Sequence, residues 1–383
     1  MPEKRYLVTP GPTPVPPEVL AATAAPMIHH RAPDFRATLA RVIERLKQVF
    51  VTESEMLTFT SAGTGVMESA VANLCSPGER VLVVSHGYFG ERFASMAQVY
   101  GLDLTHLRYA WGETPVADEI AEKLDEMGGA KAVFLTHSDT STGVVSDVRS
   151  IAERLNGTDA LLVVDAISSL AAVPLETDPW GLDVVITSSH KALMCPPGLA
   201  FASVSPRALE AAHEGSPRYY FDWERTRAAQ ERGENPFSPA ISLYLGLDVA
   251  LEMILSAGLE SAFERHVRLG RACRAGVKAM GLELFSPDED RAAVVTAIRM
   301  PEEIDGKAIV LSMRERSGVT IIGGQGEVQG KIVRIGHIGY VDVFDVTTAL
   351  AALELALAEA GADIERSVAV TAALEAYNEP VTV

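Results

Sequence analysis

The chain has 383 residues, 48% of them hydrophobic and 22% charged, enough to bury a substantial core and more than one ordinary domain holds, so two domains are expected. Fifty-one acidic against 33 basic residues give a net charge of -18, a field that repels a nucleic-acid backbone or an anionic bilayer and argues against either as the main partner. An anionic small ligand must then be held by a local pocket of basic groups and backbone N–H donors.

Three widely spaced cysteines, Cys75, Cys195 and Cys273, form no C-x-x-C pattern and point to reduced thiols. The N-terminus leads into a proline-rich stretch where a secretory signal would have an apolar core, so a cytoplasmic protein is expected. No apolar run reaches the roughly 20 residues that a membrane helix needs.

In chain order, residues 9–17 hold too many prolines for a helix or central strand, and residues 1–20 are predicted as an extended N-terminal arm. Residues 34–50 have helical spacing. A strand at 56–60 runs into Ser61-Ala62-Gly63-Thr64-Gly65-Val66-Met67-Glu68, which opens a helix through residue 74. Glycines there admit close approach to the backbone, and uncapped N–H groups at a helix start suit a phosphate. As a dinucleotide fingerprint the motif fails, because Glu68 stands where the third glycine belongs.

Four near-continuous apolar strands at 80–85, 132–136, 161–165 and 183–187 alternate with helical stretches, the pattern of an α/β fold around a buried, mostly parallel sheet. Phe89 follows the first of them between Gly87 and Gly90, as a core aromatic or as a wall for a flat ligand. Thr140, in His137-Ser138-Asp139-Thr140-Ser141-Thr142-Gly143, follows the second; its hydroxyl suits a ring oxygen or its own turn. Asp165 ends the third, where a carboxylate after four buried apolar residues needs a cation or hydrogen-bond donors, a protonated pyridine nitrogen among them, unless it ligates a metal or caps a helix.

The fourth strand runs through Ser188-Ser189-His190 into Lys191 and the break at Pro196-Pro197-Gly198. That places Lys191 at the carboxyl end of a buried strand, where open α/β sheets bind ligands, and desolvation there lowers a lysine's pKa toward Schiff-base chemistry. A domain hinge is expected near residue 255, on a long helix beginning at about 241, giving a large domain over 21–255 and a smaller α+β domain over 256–383. In the latter, Arg334 sits between apolar residues, matched to a substrate α-carboxylate or to a structural ion pair.

These motifs, with Thr9-Pro10-Gly11-Pro12 and His29-His30-Arg31-Ala32-Pro33, resemble in order and spacing the class V aminotransferases of the pyridoxal-phosphate fold-type I superfamily, and within them the alanine/serine–glyoxylate aminotransferase group. The resemblance covers nearly the whole chain. It implies a seven-stranded-type, mostly parallel sheet flanked by helices, pyridoxal 5'-phosphate (PLP) as cofactor, and a homodimer with shared active sites. It implies that Lys191 holds the cofactor as a Schiff base, Asp165 faces the pyridine nitrogen, and Phe89 and Ile167 cover the two ring faces. Gly63, Thr64, Gly65 and His190 would take the phosphate, together with Asn235 and Ser238 from the neighbouring subunit. Thr140 would meet the ring hydroxyl, Arg334 the substrate carboxylate, and Gly11 would line the substrate cavity. His190 stands where some members carry Gln, and residues 235–238 lack an expected Thr.

The implied reaction moves an amino group from alanine or serine to a 2-oxo acid such as glyoxylate by double displacement. Donors with a second anionic group, such as aspartate or 2-aminoethylphosphonate, would need a further cation, with Arg31 and Arg218 as candidates. A cysteine desulfurase-like lyase would need a thiol on a mobile loop, whereas Cys273 lies in a helical pattern. A non-enzymatic scaffold would make Lys191, Asp165 and Arg334 coincidences. No metal-ligand spacing is present.

Overall fold

The computed structural model describes residues 4–212 and 216–381. Its centre is a seven-stranded sheet of β1 (Glu55–Phe59), β2 (Arg80–Ser85), β3 (Asp103–Arg108), β4 (Ala132–Thr136), β5 (Leu161–Asp165), β6 (Val184–Ser188) and β7 (Ala200–Val204). Their order across the sheet is β1-β7-β6-β5-β4-β2-β3. All pairings are parallel except those of β7, which runs antiparallel to both of its neighbours. β4 and β5 are buried along their whole length, which explains why they read as unbroken apolar runs rather than alternating ones. Apolar layers cover both faces of the sheet.

The expected strand at 183–187 is displaced by one residue. Asp183 spends its carboxylate on the Leu162 N–H at 2.9 Å and on Arg207, outside the ladder, while Ser188 pairs with Ala200 at the other end. The N-terminal arm is extended up to Pro16, but Pro17–Thr23 is helical. Proline suits the first helical position because its missing N–H would have had no partner there. The arm is laced to the C-terminal part: Tyr6–Leu7 pairs with Val319–Thr320, and the Gly336 N–H donates to the Val8 carbonyl at 2.9 Å.

The long helix Ile241–Ala257 stops at Gly258, whose φ of +86° favours glycine, and the next helix, Leu259–Ala279, leaves at 88°. We propose this bend as the domain boundary expected near residue 255. Beyond it, β8 (Val295–Arg299), β9 (Ile322–Gly323) and β10 (Ile332–Gly336) form an antiparallel sheet with β10 in the middle. Helices Leu259–Ala279, Gly306–Arg316 and Val343–Glu359 share a separate apolar core with it. The Ala/Glu-rich tail supplies one further helix, Ala369–Tyr377. Among the described residues no single helix is long and apolar enough to cross a membrane.

Candidate active site

The carboxyl ends of β4, β5 and β6 lie side by side, so sheet pairing alone brings together residues far apart in sequence. β5 ends in Asp165, only 3% exposed, whose Oδ1 accepts the Ile167 N–H at 2.8 Å. No ion pair engages Asp165 among the described residues. Burial raises its carboxyl to about 7, with the Ile167 N–H and the positive charges of Arg92 and Lys191 opposing the rise.

Three residues past β6, Lys191 is also buried, and its Nζ donates to the Pro10 carbonyl at 2.7 Å. Burial lowers this amine to about 8, against the pull of Asp165. Its own carbonyl accepts from Thr13 Oγ1 at 3.1 Å and from the Met194 N–H at 3.0 Å, which fixes the turn. Gly11 lies against it so closely that a Cβ there would stand 2.4 Å from both Cε and Nζ of Lys191, and its φ of +149° is itself a glycine conformation. The amine reacts only when neutral, so uptake of pyridoxal 5'-phosphate by apo-protein is expected to accelerate with pH and to level off above about pH 8, as stopped-flow absorbance would record.

Helix Gly63–Leu74 begins after Ala62, which offers no side-chain cap. The Gly63 and Thr64 N–H groups therefore have no protein acceptor among the described residues, the arrangement that holds an anion. Glycine is required in this cradle, since a Cβ on Gly63 would meet Ile167 Cδ1 at 2.7 Å and one on Gly65 would meet Ser61 Oγ at 2.1 Å. His190, half-buried, meets Ser188 Oγ at 3.2 Å through Nδ1. Burial and the neighbouring Lys191 hold it down at about 4, so at neutral pH it offers hydrogen bonding without charge.

Phe89 and Ile167 are each half-buried, leaving part of their apolar surface open to the site. The Thr140 hydroxyl has no protein partner among the described residues. Arg334, 1% exposed, enters from β10: Nε and Nη2 donate to the Gly323 carbonyl at 3.0 and 2.6 Å, and Nη1 donates to the Thr140 carbonyl at 2.6 Å. No carboxylate forms an ion pair with it among the described residues, although the Asp139 charge is near enough to favour its charged form, so a structural ion pair is not what holds it. Burial lowers it to about 10, still a cation at neutral pH. Of the five N–H groups of a guanidinium these contacts use three, and two remain for a ligand.

The sequence reading overlooked Arg92. Its Nη1 donates to Thr64 Oγ1 at 2.8 Å and its guanidinium lies 4.9 Å from the Phe89 ring centroid, with no ion-pair partner among the described residues. The i, i+3 spacing of Phe89 and Arg92 on one helix was the available signal. Asn235 and Ser238 make no hydrogen bond to Gly63, Thr64, Gly65 or His190 among the described residues. The Asn235 amide donates to Tyr244 Oη at 3.1 Å and Thr58 Oγ1 at 3.4 Å, its Oδ1 is buried without a partner, and Ser238 is exposed.

The family model for class V aminotransferases matches residues 5–341. The chain belongs to that family. This class V aminotransferase is 37% identical to an L-aspartate–glyoxylate aminotransferase of Paracoccus denitrificans, with 99% of this chain and 98% of the relative aligned. It is 40% identical, over 94% of this chain and 95% of the relative, to a Synechococcus protein named as the small subunit of a soluble hydrogenase. Its fold superposes on the ureidoglycine–glyoxylate aminotransferase of Bacillus subtilis with a TM-score of 0.94 at 30% identity, covering 99% of both chains. The protein is therefore a transaminase with the fold-type I architecture that the sequence implied.

The family implies pyridoxal 5'-phosphate, and the donor set of this class V aminotransferase fits that group. A buried carboxyl without an ion-pair partner among the described residues suits a ring N–H, an uncapped helix start framed by glycines suits a phosphate, and a desolvated amine suits an aldehyde.

Proposed function

We propose that the protein transfers the amino group of a small amino acid, alanine or serine, to glyoxylate through pyridoxal 5'-phosphate, by double displacement. The observation that carries the reading is that a buried amine, a buried carboxyl and a buried guanidinium, Lys191, Asp165 and Arg334, lie near enough for the amine to feel both other charges, none of them ion-paired to the protein among the described residues. Such groups are costly to bury unless ligands complete them.

The bound cofactor supplies the electron sink that makes the donor's Cα–H acidic. Lys191 would anchor the cofactor covalently, and its Nζ, when free, would carry the proton away from Cα. The Pro10 carbonyl fixes the direction of that amine. Asp165 keeps a proton on the pyridine nitrogen, Phe89 and Ile167 hold the ring between them and exclude water, and Gly63, Thr64, Gly65 and His190 hold the phosphate. Thr140 holds the ring hydroxyl. Arg334 would grip the α-carboxylate with its two spare N–H groups, beside the space left by Gly11, and so orient the substrate. We assign Asn235 and Ser238 to the phosphate cradle of a neighbouring subunit in a homodimer with shared sites, a reading supported by the partnerless Asn235 Oδ1 and the exposed Ser238. The three unbridged, buried cysteines are in keeping with a cytoplasmic setting.

A small donor is favoured because both arginines named for a second anion are engaged: Arg31 lies 3.9 Å from Glu234, and Arg218 lies 3.6 Å from Asp222 while bonding the Ser216 carbonyl. One observation supports the second reading, an aspartate donor: Arg92 has no such partner and stands beside the cofactor cradle. A desulfurase finds no support in the thiols, since burial pushes Cys75 and Cys195 up to about 12 and Cys273 to about 11. Adding alanine, serine or aspartate singly to the yellow holoenzyme decides among donors. The true donor bleaches the visible band within one turnover and glyoxylate restores it; bleaching by aspartate alone would overturn the small-donor assignment.

Arg334→Gln removes a charge-assisted pair of hydrogen bonds worth about 3 kcal/mol, so its KM for the donor should rise by about 100-fold. The rate with saturating donor should fall less. Steady-state kinetics separate the two.

A further inference from the structure

The loop 137–143 contains a second buried acid that the reaction above does not use. Asp139 is fully buried, and both of its oxygens are doubly engaged. Oδ2 accepts the N–H groups of Phe89 at 2.9 Å and Gly90 at 3.2 Å, while Oδ1 accepts the N–H of Ser141 at 3.0 Å and its hydroxyl at 2.6 Å. The Ser141 hydroxyl in turn accepts the Tyr88 N–H at 2.8 Å. The first turn of helix Tyr88–Val99 has no cap of its own, so a loop fifty residues further along the chain caps it instead. Gly87 makes room for this contact, since a Cβ there would stand 2.5 Å from the Asp139 carboxyl carbon.

The residue after this carboxylate is Thr140, whose carbonyl seats Arg334 and whose hydroxyl is left free for a ligand. One anchored acid therefore joins the helix start that carries Phe89 to the backbone that carries Thr140 and steadies Arg334. We propose that Asp139 is a positioning residue, which sets the ring-covering Phe89 and the carboxylate-gripping Arg334 in register with each other across the cofactor site. This inference rests on the cofactor reading above.

An asparagine cannot substitute. Each oxygen of Asp139 receives two donors, so an amide NH2 turned to one end faces the N–H groups of Phe89 and Gly90, and turned to the other faces the Ser141 N–H beside a hydroxyl that must stop donating. Loss of the register loosens both walls, whereas loss of an ordinary helix cap costs only folding stability.

The test compares Asp139→Asn, the milder Ser141→Ala, and Asp305→Ala, which removes a cap far from the site on helix Gly306–Arg316. Each apo-protein is titrated with pyridoxal 5'-phosphate, the visible circular dichroism of the bound cofactor and the thermal midpoint are recorded, and KM is measured for the best donor. Asp139→Asn should bind the cofactor about tenfold more weakly, lose most of the induced dichroism and raise the donor KM about tenfold. Ser141→Ala should move in the same direction by a smaller factor, and Asp305→Ala should lower only the thermal midpoint. An Asp139→Asn protein that merely melts earlier, with affinity, dichroism and KM as in wild type, would overturn the proposal. If that variant does not fold, Ser141→Ala with those three readouts unchanged overturns it instead. Wild-type protein that takes up no pyridoxal 5'-phosphate would remove the cofactor reading itself, a result distinct from either.

Discussion

A Lys191→Ala protein is expected to transaminate at least about 10⁴-fold more slowly than wild type, the largest effect of any single substitution, because the proposed function has the same side chain both anchor the cofactor and move the Cα proton. The amine's surroundings make the loss specific. It is desolvated, directed by the Pro10 carbonyl and kept from wandering by Gly11 on one side and the Thr13-fastened turn on the other. Alanine leaves that slot empty, and no other described lysine lines the site to take over. Borohydride treatment followed by intact-mass measurement should add one cofactor mass to wild type and none to the variant. A wild-type adduct mapped to another lysine would refute the assignment of Lys191.

The second large effect belongs to Asp165→Asn. A carboxylate facing a protonated ring nitrogen at about 4 Å in a medium of effective dielectric near 20 gains about 4 kcal/mol, so losing the charge should cut kcat by about 10³-fold while the ring still fits. Stability should move the other way. Because the folded carboxyl lies above the ordinary value, the native state favours its protonated form, and stability is lost as pH rises from about 4 through about 7. Asparagine escapes that penalty. Apo Asp165→Asn at pH 8 should therefore melt no earlier than apo wild type while its catalysis collapses, and calorimetry beside stopped-flow absorbance checks both halves. A variant with near-normal kcat would remove Asp165 from the ring nitrogen.

The parts of the fold and site that were legible in the sequence are those carried by local runs of residues. Strands β4 and β5 announced themselves because burial on both faces leaves nothing but apolar side chains, and Asp165 and Lys191 drew notice because one ends such a run and the other closely follows one. The glycines of the cradle were readable for the same local reason. What pairing across the sheet creates was not readable. Nothing in His137 to Gly143 reveals that Asp139 reaches back to the N–H groups of Phe89 and Gly90, nor that the Arg334 guanidinium is satisfied by the carbonyls of Gly323 and Thr140 rather than by an acid. The one-residue slip at β6 has a related origin: Asp183 looked like the first residue of a strand until Arg207, twenty-four positions later, claimed it.

The N-terminal arm ties two distant places together. Val8 is hydrogen-bonded to Gly336, two positions beyond Arg334, while Pro10, two positions further along the same arm, receives the Lys191 amine. Three residues, Val8 to Pro10, thus join the strand that carries Arg334, the proposed carboxylate-binding group, to Lys191, the proposed nucleophile, along a stretch stiffened by proline. The arm works as a gauge block: any drift of the C-terminal part relative to the sheet is passed straight to the nucleophile, so the two can be misaligned only together.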